Sequence, residues 1–328
     1  MKHQIICETA FTHEGDLNYL KKQIDIAKDI NSDYIKFQIL LDIDSVYSRS
    51  TEIYHDMKTK MLSETEWEDA IEYATNIGLK TLVLPIDYHA LKFALNNKST
   101  HAIEIHSICL NDIVFLDEIN KSKTDLLIAL GVGGRKIKEI NFCINYLESK
   151  NLLLMAGFQS FPTNIEDANL GKIKTLKTEY SYPIGYADHT QWDKDDSSMI
   201  LTALALGALY IEKHIILEKG SERADYYSAV GKDELIKLQE TVGLYKKIYG
   251  KEDLNILNNK ELIYKNRERK IIATTDIKEG SVFDKSNIGY SVTNQETDIE
   301  QYEYNSLLSK SAKNDIKKGS IIMRHNIK

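Results

Sequence analysis

At 328 residues with a formal net charge of −7, the chain is longer than one compact core requires, and its composition is that of an ordinary soluble protein. Its lysines are scattered rather than striped, which argues against a nucleic-acid groove or an anionic membrane as the main partner and in favour of a small ligand. Only Ile5–Cys7 precedes the first acid, and the longest apolar run, Met199–Ile211, is too short to span a bilayer, so a cytoplasmic protein is expected.

In chain order, Gln4–Glu8 is a short apolar strand ending in an acid. After the turn-like His13-Glu14-Gly15, Leu17, Leu20, Ile24 and Ala27 fall on one helical face. Tyr34–Gln38 is the next strand; Lys36 and Gln38 share a face, and Lys36 either meets an anionic partner in a barrel mouth or reaches solvent at the strand end. Residues 39–62 read as a long polar connection of active-site type. Ser63 and Glu66 have capping-box spacing, Trp67, Ala70, Ile71 and Ala74 supply an apolar face, and Gly78 is placed to end that helix. Further strands are expected at Lys80–Leu84, Ala102–Ile105, Leu126–Ala129 and Leu152–Ala156. The turn Gly131–Lys136 brings three glycines before Arg135 and Lys136, an arrangement suited to holding an anion. Cys7, Cys109 and Cys143 are odd in number and widely separated, which fits reduced thiols.

The stretch Tyr182–His214 gathers the chemistry. Two apolar segments, Pro183–Tyr186 and Ala208–Ile211, run into His189 and His214 beside acidic residues, with a helix-like segment between them. In a parallel barrel these strand ends open on one face, so the two imidazoles meet there as an open divalent-metal site, or else serve as core or helix-capping histidines. Eight strands alternating with helices over residues 1–250 give an α/β fold of the TIM (β/α)8 type.

After Gly231 a helix carries Leu235, Leu238, Val242, Tyr245 and Ile248 on one face, and residues 251–268 read as a linker with one helical turn. The segments Ala273–Ile288 and Ala312–Ile327 then match at eight of sixteen positions, each with an Asp-Ile-Lys-x-Gly turn. Residues 269–328 are therefore expected to form a small, mostly β domain of pseudo-twofold character.

These residues resemble the sialic acid synthases, a family that includes the legionaminic and pseudaminic acid synthases. The likeness covers nearly the whole chain and rests on Glu8 with His13 and Gly15, on Lys36-Phe37-Gln38, on Phe161-Pro162-Thr163 with Ile165-Glu166-Asp167, on Gly185-Tyr186-Ala187-Asp188-His189-Thr190, and on Glu212-Lys213-His214. It implies a barrel followed by a SAF (antifreeze-like, β-clip) domain. It also implies condensation of phosphoenolpyruvate with an N-acyl sugar aldehyde to a 2-keto-3-deoxy acid for surface-polysaccharide biosynthesis. His189 and His214 would hold Mn²⁺, with Mg²⁺ as the alternative. Glu8, Lys36, Gln38, Asp188 and Asp225 would be catalytic, and Ser107, Gln159, Phe161 and Glu212 would contact substrate, joined by Arg135 of the glycine-rich turn. The implied assembly is a domain-swapped homodimer.

The sequence departs from the family's phosphate cradle at Leu84, Glu104, Ala129 and Ala187, and from its usual residues at Cys109, Gln159 and Val292. Three readings follow: a synthase whose phosphate site has moved to Gly131–Lys136 with His106, an enzyme that keeps metal-assisted carbonyl chemistry on another donor, and a non-catalytic sugar-binding homologue.

Overall fold

The computed structural model describes residues 3–328 other than 159, 161 and 192–196, and the chain divides into two compact units, 1–249 and 250–328.

The first unit is a closed parallel barrel. Its strands are β1 (Gln4–Glu8), β2 (Tyr34–Ile39), β3 (Lys80–Pro85), β4 (Ala102–Ile105), β5 (Leu127–Gly131), β6 (Leu152–Ala156), β7 (Ile184–Asp188) and β8 (Tyr210–Ile215), each beside the next, with β8 pairing back onto β1. A two-residue strand, β9 (Ala229–Val230), extends β8 at its C-terminal end. The surrounding helices are α1 (Leu17–Asp29), α2 (Glu52–Thr59), α3 (Glu64–Asn76), α4 (Tyr88–Asn96), α5 (Ile113–Ser122), α6 (Ile137–Tyr146), α7 (Gly171–Glu179), α8 (Ser198–Leu206) and α9 (Lys232–Tyr249).

Strand alternation sorts the side chains. Ile35 and Phe37 of β2, Val83 of β3, and Ile128 and Leu130 of β5 face the helices and join one large apolar core with Trp67, Ala70 and Ile71 of α3. The opposite faces fill the lumen: Ile6, Tyr34, Leu82, Ala102, Ala129, Leu153 and Met155 form an apolar plug beneath the C-terminal mouth. Local signals place the helices as expected. Asp16 caps α1 by accepting from the Asn18 and Tyr19 amides, and Ser63 and Glu66 close the anticipated capping box on α3. Gly15, at φ +78°, lies where a Cβ would come within 2.8 Å of the Thr59 carbonyl oxygen, so the β1–α1 turn requires glycine there.

Three expectations are corrected. Strands β7 and β8 run past their apolar segments through Asp188 and Lys213–His214, because Asp188 and Lys213 satisfy one another inside the protein and hydropathy no longer has to end the strand. Strand β5 is shifted to Leu127–Gly131. Residues 39–62 do reach the mouth, where Tyr47, Ile53, Asp56 and Lys60 line it, but they are not simply a polar connection: they contain α2, and Leu40, Ile43, Tyr54 and Met57 pack with Phe11, Leu84 and Ile86 into a buried cluster.

The second unit holds its own core around Ile271, Ile277, Phe283, Ile288, Ile316 and Ile322. It begins with a segment expected to be linker, which carries α10 (Asn259–Lys265), capped by Asn258 and longer than one turn. Strands β10 (Arg269–Ala273) and β11 (Ile288–Val292) pair antiparallel, and a short helix, α11 (Tyr304–Leu307), follows. The repeat is visible as symmetry. Ile277 and Ile316, equivalent positions, exchange amide-to-carbonyl bonds of 2.8 Å in both directions. Lys278 pairs with Asp315 at 2.7 Å, and its counterpart Lys317 pairs with Asp276 at 3.0 Å. Each half thus supplies the contacts that the other half returns.

Candidate active site and metal centre

The barrel mouth opens into a cavity of about 620 Å³. Its floor is set by register: Glu8 of β1 lies beside Lys36 of β2 on one side and beside His214 of β8 on the other, and Glu212 of β8 stands beside Ala187 of β7. All face the lumen by alternation. Lys36 is buried and surrounded by three carboxylates, with Nζ 2.8 Å from Glu104, 3.0 Å from both oxygens of Glu212 and 3.1 Å from Glu8. Of the two readings of Lys36, the anionic partner is the one found, and that partner is protein.

Burial works against every charge in this cluster, and the outcome differs by residue. For Lys36, Glu104, Glu212 and Glu8 together outweigh burial and hold the ammonium charged well above its ordinary range. Burial also opposes the Glu8 charge, but Lys36 and His214 outweigh it, so Glu8 stays ionised well below the usual carboxylate range. Glu212 is driven well above that range by burial, against the pull of Lys36, with Glu8 and Glu104 adding repulsion; Glu104 is raised for the same reasons. The cluster therefore favours a charged Lys36–Glu8 pair and disfavours charge on Glu212 and Glu104.

His214 presents Nε2 3.3 Å from Glu8 Oε2, and the His189 and His214 rings stand edge to face with centroids 4.8 Å apart. One ligand atom from each of Glu8, His189 and His214 lies within 4.8 Å of the others. Two ligands of one ion at bond lengths near 2.0–2.2 Å lie about 3.3–3.6 Å apart at a tetrahedral angle and at most about 4.4 Å apart when opposite, so the three groups draw closer together to hold one ion. Two further observations fit a metal. Burial, followed by the neighbouring His214, pushes His189 down to about 3, leaving it neutral and able to ligate. The Nδ1 atoms of both histidines are buried without a hydrogen-bond partner among the described residues. Sequence spacing suggested two ligands; Glu8, expected to handle protons, is the third group in reach.

Behind the mouth, Asp188 and Lys213 fix the segment that carries His189. Asp188 Oδ1 accepts from the Thr190 amide at 3.0 Å, the Thr190 hydroxyl at 2.7 Å and the Tyr186 hydroxyl at 3.3 Å, while Oδ2 accepts from Lys213 Nζ at 2.9 Å. The His189 carbonyl accepts from the Thr163 amide at 2.9 Å. Asp188, expected to be catalytic, does not line the mouth: it lies on the helix-facing side of β7, where alternation sends it together with Tyr186.

The other expected site residues divide. Gln38, Ser107, Glu212 and Asp225 line the mouth, with Asp225 held at φ 59° on the rim. Arg135 does not line it. Its guanidinium is held by Glu139 at 3.3 Å and borders a separate cavity between α6 and α7, so the relocated phosphate site loses its main cation. His106 does line the mouth, but burial and then Lys36 push it down to about 4, leaving it neutral. Gln159 and Phe161 lie outside the described residues. Sequence reasoning missed Arg223, which donates to the Thr12 and His13 carbonyls, pairs with Glu14 and stacks over Tyr19 at the rim; an arginine in a polar loop carries no periodic signal.

His13, beneath that arginine, is fully buried and its Nδ1 accepts from the Gly15 amide. Burial and then Arg223 push it down to about 4. The unfolded chain, with an ordinary value near 6.5, therefore binds the extra proton first, so this contribution is complete above about pH 6.5 and is lost as the pH falls toward 4. His13→Asn should flatten the pH dependence of urea unfolding across that window, by up to about 3 kcal/mol between its ends. An unchanged slope would contradict this.

The NeuB family matches residues 23–253, well over half the chain. The chain belongs to the NeuB family. An uncharacterized protein of Methanocaldococcus jannaschii is 32% identical, the match covering 97% of this chain and 92% of the relative. The N,N'-diacetyllegionaminic acid synthase of Campylobacter jejuni is 26% identical over 98% and 99% of the two chains. Among solved structures, the N-acetylneuraminic acid synthetase of Leptospira borgpetersenii superposes with a TM-score of 0.74 at 27% identity, covering 81% of this chain and 92% of that one. A spore coat polysaccharide biosynthesis protein E from Chromobacterium violaceum has a TM-score of 0.86 at 20% identity over the full length of both chains, a likeness of fold. The NeuB match spans the barrel from α1 to the end of α9, so β2, β7 and β8 with their site residues all lie inside it. Among the described residues no helix is long and apolar enough to cross a membrane.

Proposed function

We propose that this chain is a metal-dependent synthase of the sialic acid synthase type, forming a carbon–carbon bond between a three-carbon enol donor and the aldehyde of an N-acyl amino sugar. The observation that carries the reading is the convergence of Glu8, His189 and His214 at the mouth, with ligand atoms within 4.8 Å. An ion held there, Mn²⁺ or Mg²⁺, supplies Lewis acidity to a carbonyl oxygen. The protein's own groups do the rest. Ionised Glu8 directs the water that adds at the donor's second carbon and takes its proton, and Glu212, whose carboxyl is driven toward the protonated form, is the complementary donor to the aldehyde oxygen. Gln38, Ser107 and Asp225 fix the acceptor's hydroxyls from the rim. With phosphoenolpyruvate, the enol carbon bonds to the aldehyde carbon, water adds at the donor's second carbon, and the C–O bond to phosphate breaks. In the resemblance drawn above, residues 269–328 cover the mouth of a partner's barrel in a homodimer, which the mass in solution tests.

The surroundings of Lys36 favour a second reading of the donor. The lysine charge is already met by three carboxylates, Leu84, Ala129 and Ala187 offer no side-chain donors, and Arg135 borders another cavity. Each charge-assisted contact that a phosphate lacks costs about 1.5–3 kcal/mol. On this reading the donor is an unphosphorylated 2-keto acid such as pyruvate, added as its enol with no leaving group.

One assay tests both. Purified protein with Mn²⁺ and N-acetylmannosamine is given phosphoenolpyruvate or pyruvate, and phosphate and 2-keto-3-deoxy acid are measured. Metal-dependent product with phosphate release establishes the first donor, and product from pyruvate alone establishes the second. No product from either donor with any amino-sugar aldehyde removes the synthase reading and leaves a sugar-binding homologue. Glu104→Lys should strengthen phosphoenolpyruvate binding by about tenfold or more in calorimetry, since it replaces the nearest carboxylate on Lys36 with a cation.

A further inference from the structure

A second cavity lies beside the mouth, between α6 and α7, with a volume of about 340 Å³. Its floor is apolar and buried, formed by Ile140 of α6, Ile173 and Leu176 of α7, and Tyr186 of β7. Its rim carries Lys136 and Lys172, two ammonium groups with no ion-pair partner among the described residues. Arg135 also borders it but is held by Glu139. The volume lies in the range of small-molecule sites, and a few polar groups at the edge of an apolar pocket fix a ligand's orientation. An apolar floor is costly for a polar ligand to cover, and two unpaired cations at the edge favour a negative head.

Two structural links join this space to the metal centre. Gly157 and Phe158, which follow β6, line both spaces. The backbones there are stacked so closely that a Cβ on Gly133 would lie 1.7 Å from the Gly157 carbonyl oxygen, and a Cβ on Gly157 would lie 2.3 Å from that of Ala187. Packing that tight passes displacement on rather than absorbing it. The second link is Tyr186: it lines the floor, and its hydroxyl donates to Asp188, which holds Thr190 on the far side of His189.

We infer that the cavity between α6 and α7 binds a small organic carboxylate with an aromatic or branched apolar body, and that its occupancy changes metal affinity at Glu8, His189 and His214. The coupling half rests on the metal reading above; the binding half does not.

The probe is 3-phenylpropanoate, with its uncharged amide as control, titrated by calorimetry into the metal-free full chain. Saturable one-to-one binding is expected, at least about tenfold tighter for the carboxylate than for the amide. Lys172→Glu on the exposed rim should weaken the carboxylate by about tenfold or more, while Lys138→Glu, on α6 but outside the lining, should not. Ile173→Trp fills the floor, and Thr175→Trp blocks the rim from an exposed position; both should abolish binding with the circular dichroism spectrum unchanged. With probe saturating, Mn²⁺ affinity should shift, and by linkage Mn²⁺ should shift probe affinity by the same factor. No saturable binding up to roughly 10 mM, equal binding of acid and amide, or equal effects of the two lysine variants would overturn the site. Unchanged Mn²⁺ affinity with probe bound would overturn the coupling alone.

Discussion

Replacing His214 with alanine will lower Mn²⁺ affinity by at least about a hundredfold, close to 2.7 kcal/mol, and His189→Ala will do the same. The expectation follows from the count of ligands: three protein groups converge, and an open site reduced to two has little besides water to hold the ion. Glu8→Gln tests the third ligand separately. It keeps the shape of the side chain but removes the ionised oxygen that lies 3.3 Å from His214 Nε2 and 3.1 Å from Lys36. Competition against a fluorescent chelator measures all three variants. A wild type that takes up no divalent ion, or variants that bind it as tightly, would remove the metal centre from this fold. Because the ion binds the native state and not the unfolded chain, the thermal midpoint of wild type should rise with Mn²⁺ concentration and that of the variants should not.

Asp188→Ala should destabilise the fold by about 3–5 kcal/mol, because it removes the buried carboxylate that lies 2.9 Å from the buried Lys213 ammonium. For a unit the size of the barrel that corresponds to a fall of roughly 6–10 °C in the thermal midpoint. Burial alone would raise the Asp188 carboxyl, but Lys213 outweighs it and the Thr190 bonds add to the effect, so the group is held below the usual carboxylate range. The pair thus contributes stability that is present above about pH 4 and is lost as acid protonates the native carboxylate. The double variant Asp188→Ala/Lys213→Met should recover most of the loss, since the buried ammonium is removed together with the carboxylate that faces it. Equal destabilisation in the single and double variants would show that the pair acts through packing rather than charge.

Much of the barrel was legible from hydropathy. Trp67, Ala70, Ile71 and Ala74 fall at helical spacing behind a Ser63–Glu66 capping box, and α3 forms where that signal lies. One class of error arises where charge enters a strand. Asp188 and Lys213 look like strand ends in sequence, and Glu104 like a misplaced charge in a phosphate site, because the cost of burying each is visible and the partner that offsets it is not. Lys213 lies 25 positions from Asp188, and Glu104 lies 68 from Lys36, so no local pattern joins them.

What the sequence determined by itself was the parallel barrel, the family resemblance and the meeting of His189 and His214, since strand order and side-chain alternation follow from periodicity, and β7 and β8 deliver both histidines to one face. The repeat in the tail likewise predicted its own symmetry, because equivalent residues such as Asp276 and Asp315 make equivalent bonds. Only the tertiary structure decided the chemistry of the mouth. It added Glu8 to the histidines, closed Glu8, Glu104 and Glu212 around Lys36, turned Asp188 to the helix side and placed Arg135 on a different cavity. Protonation, ligand count and charge compensation depend on distances of about 3 Å between residues far apart in the chain, and barrel closure is what sets those distances.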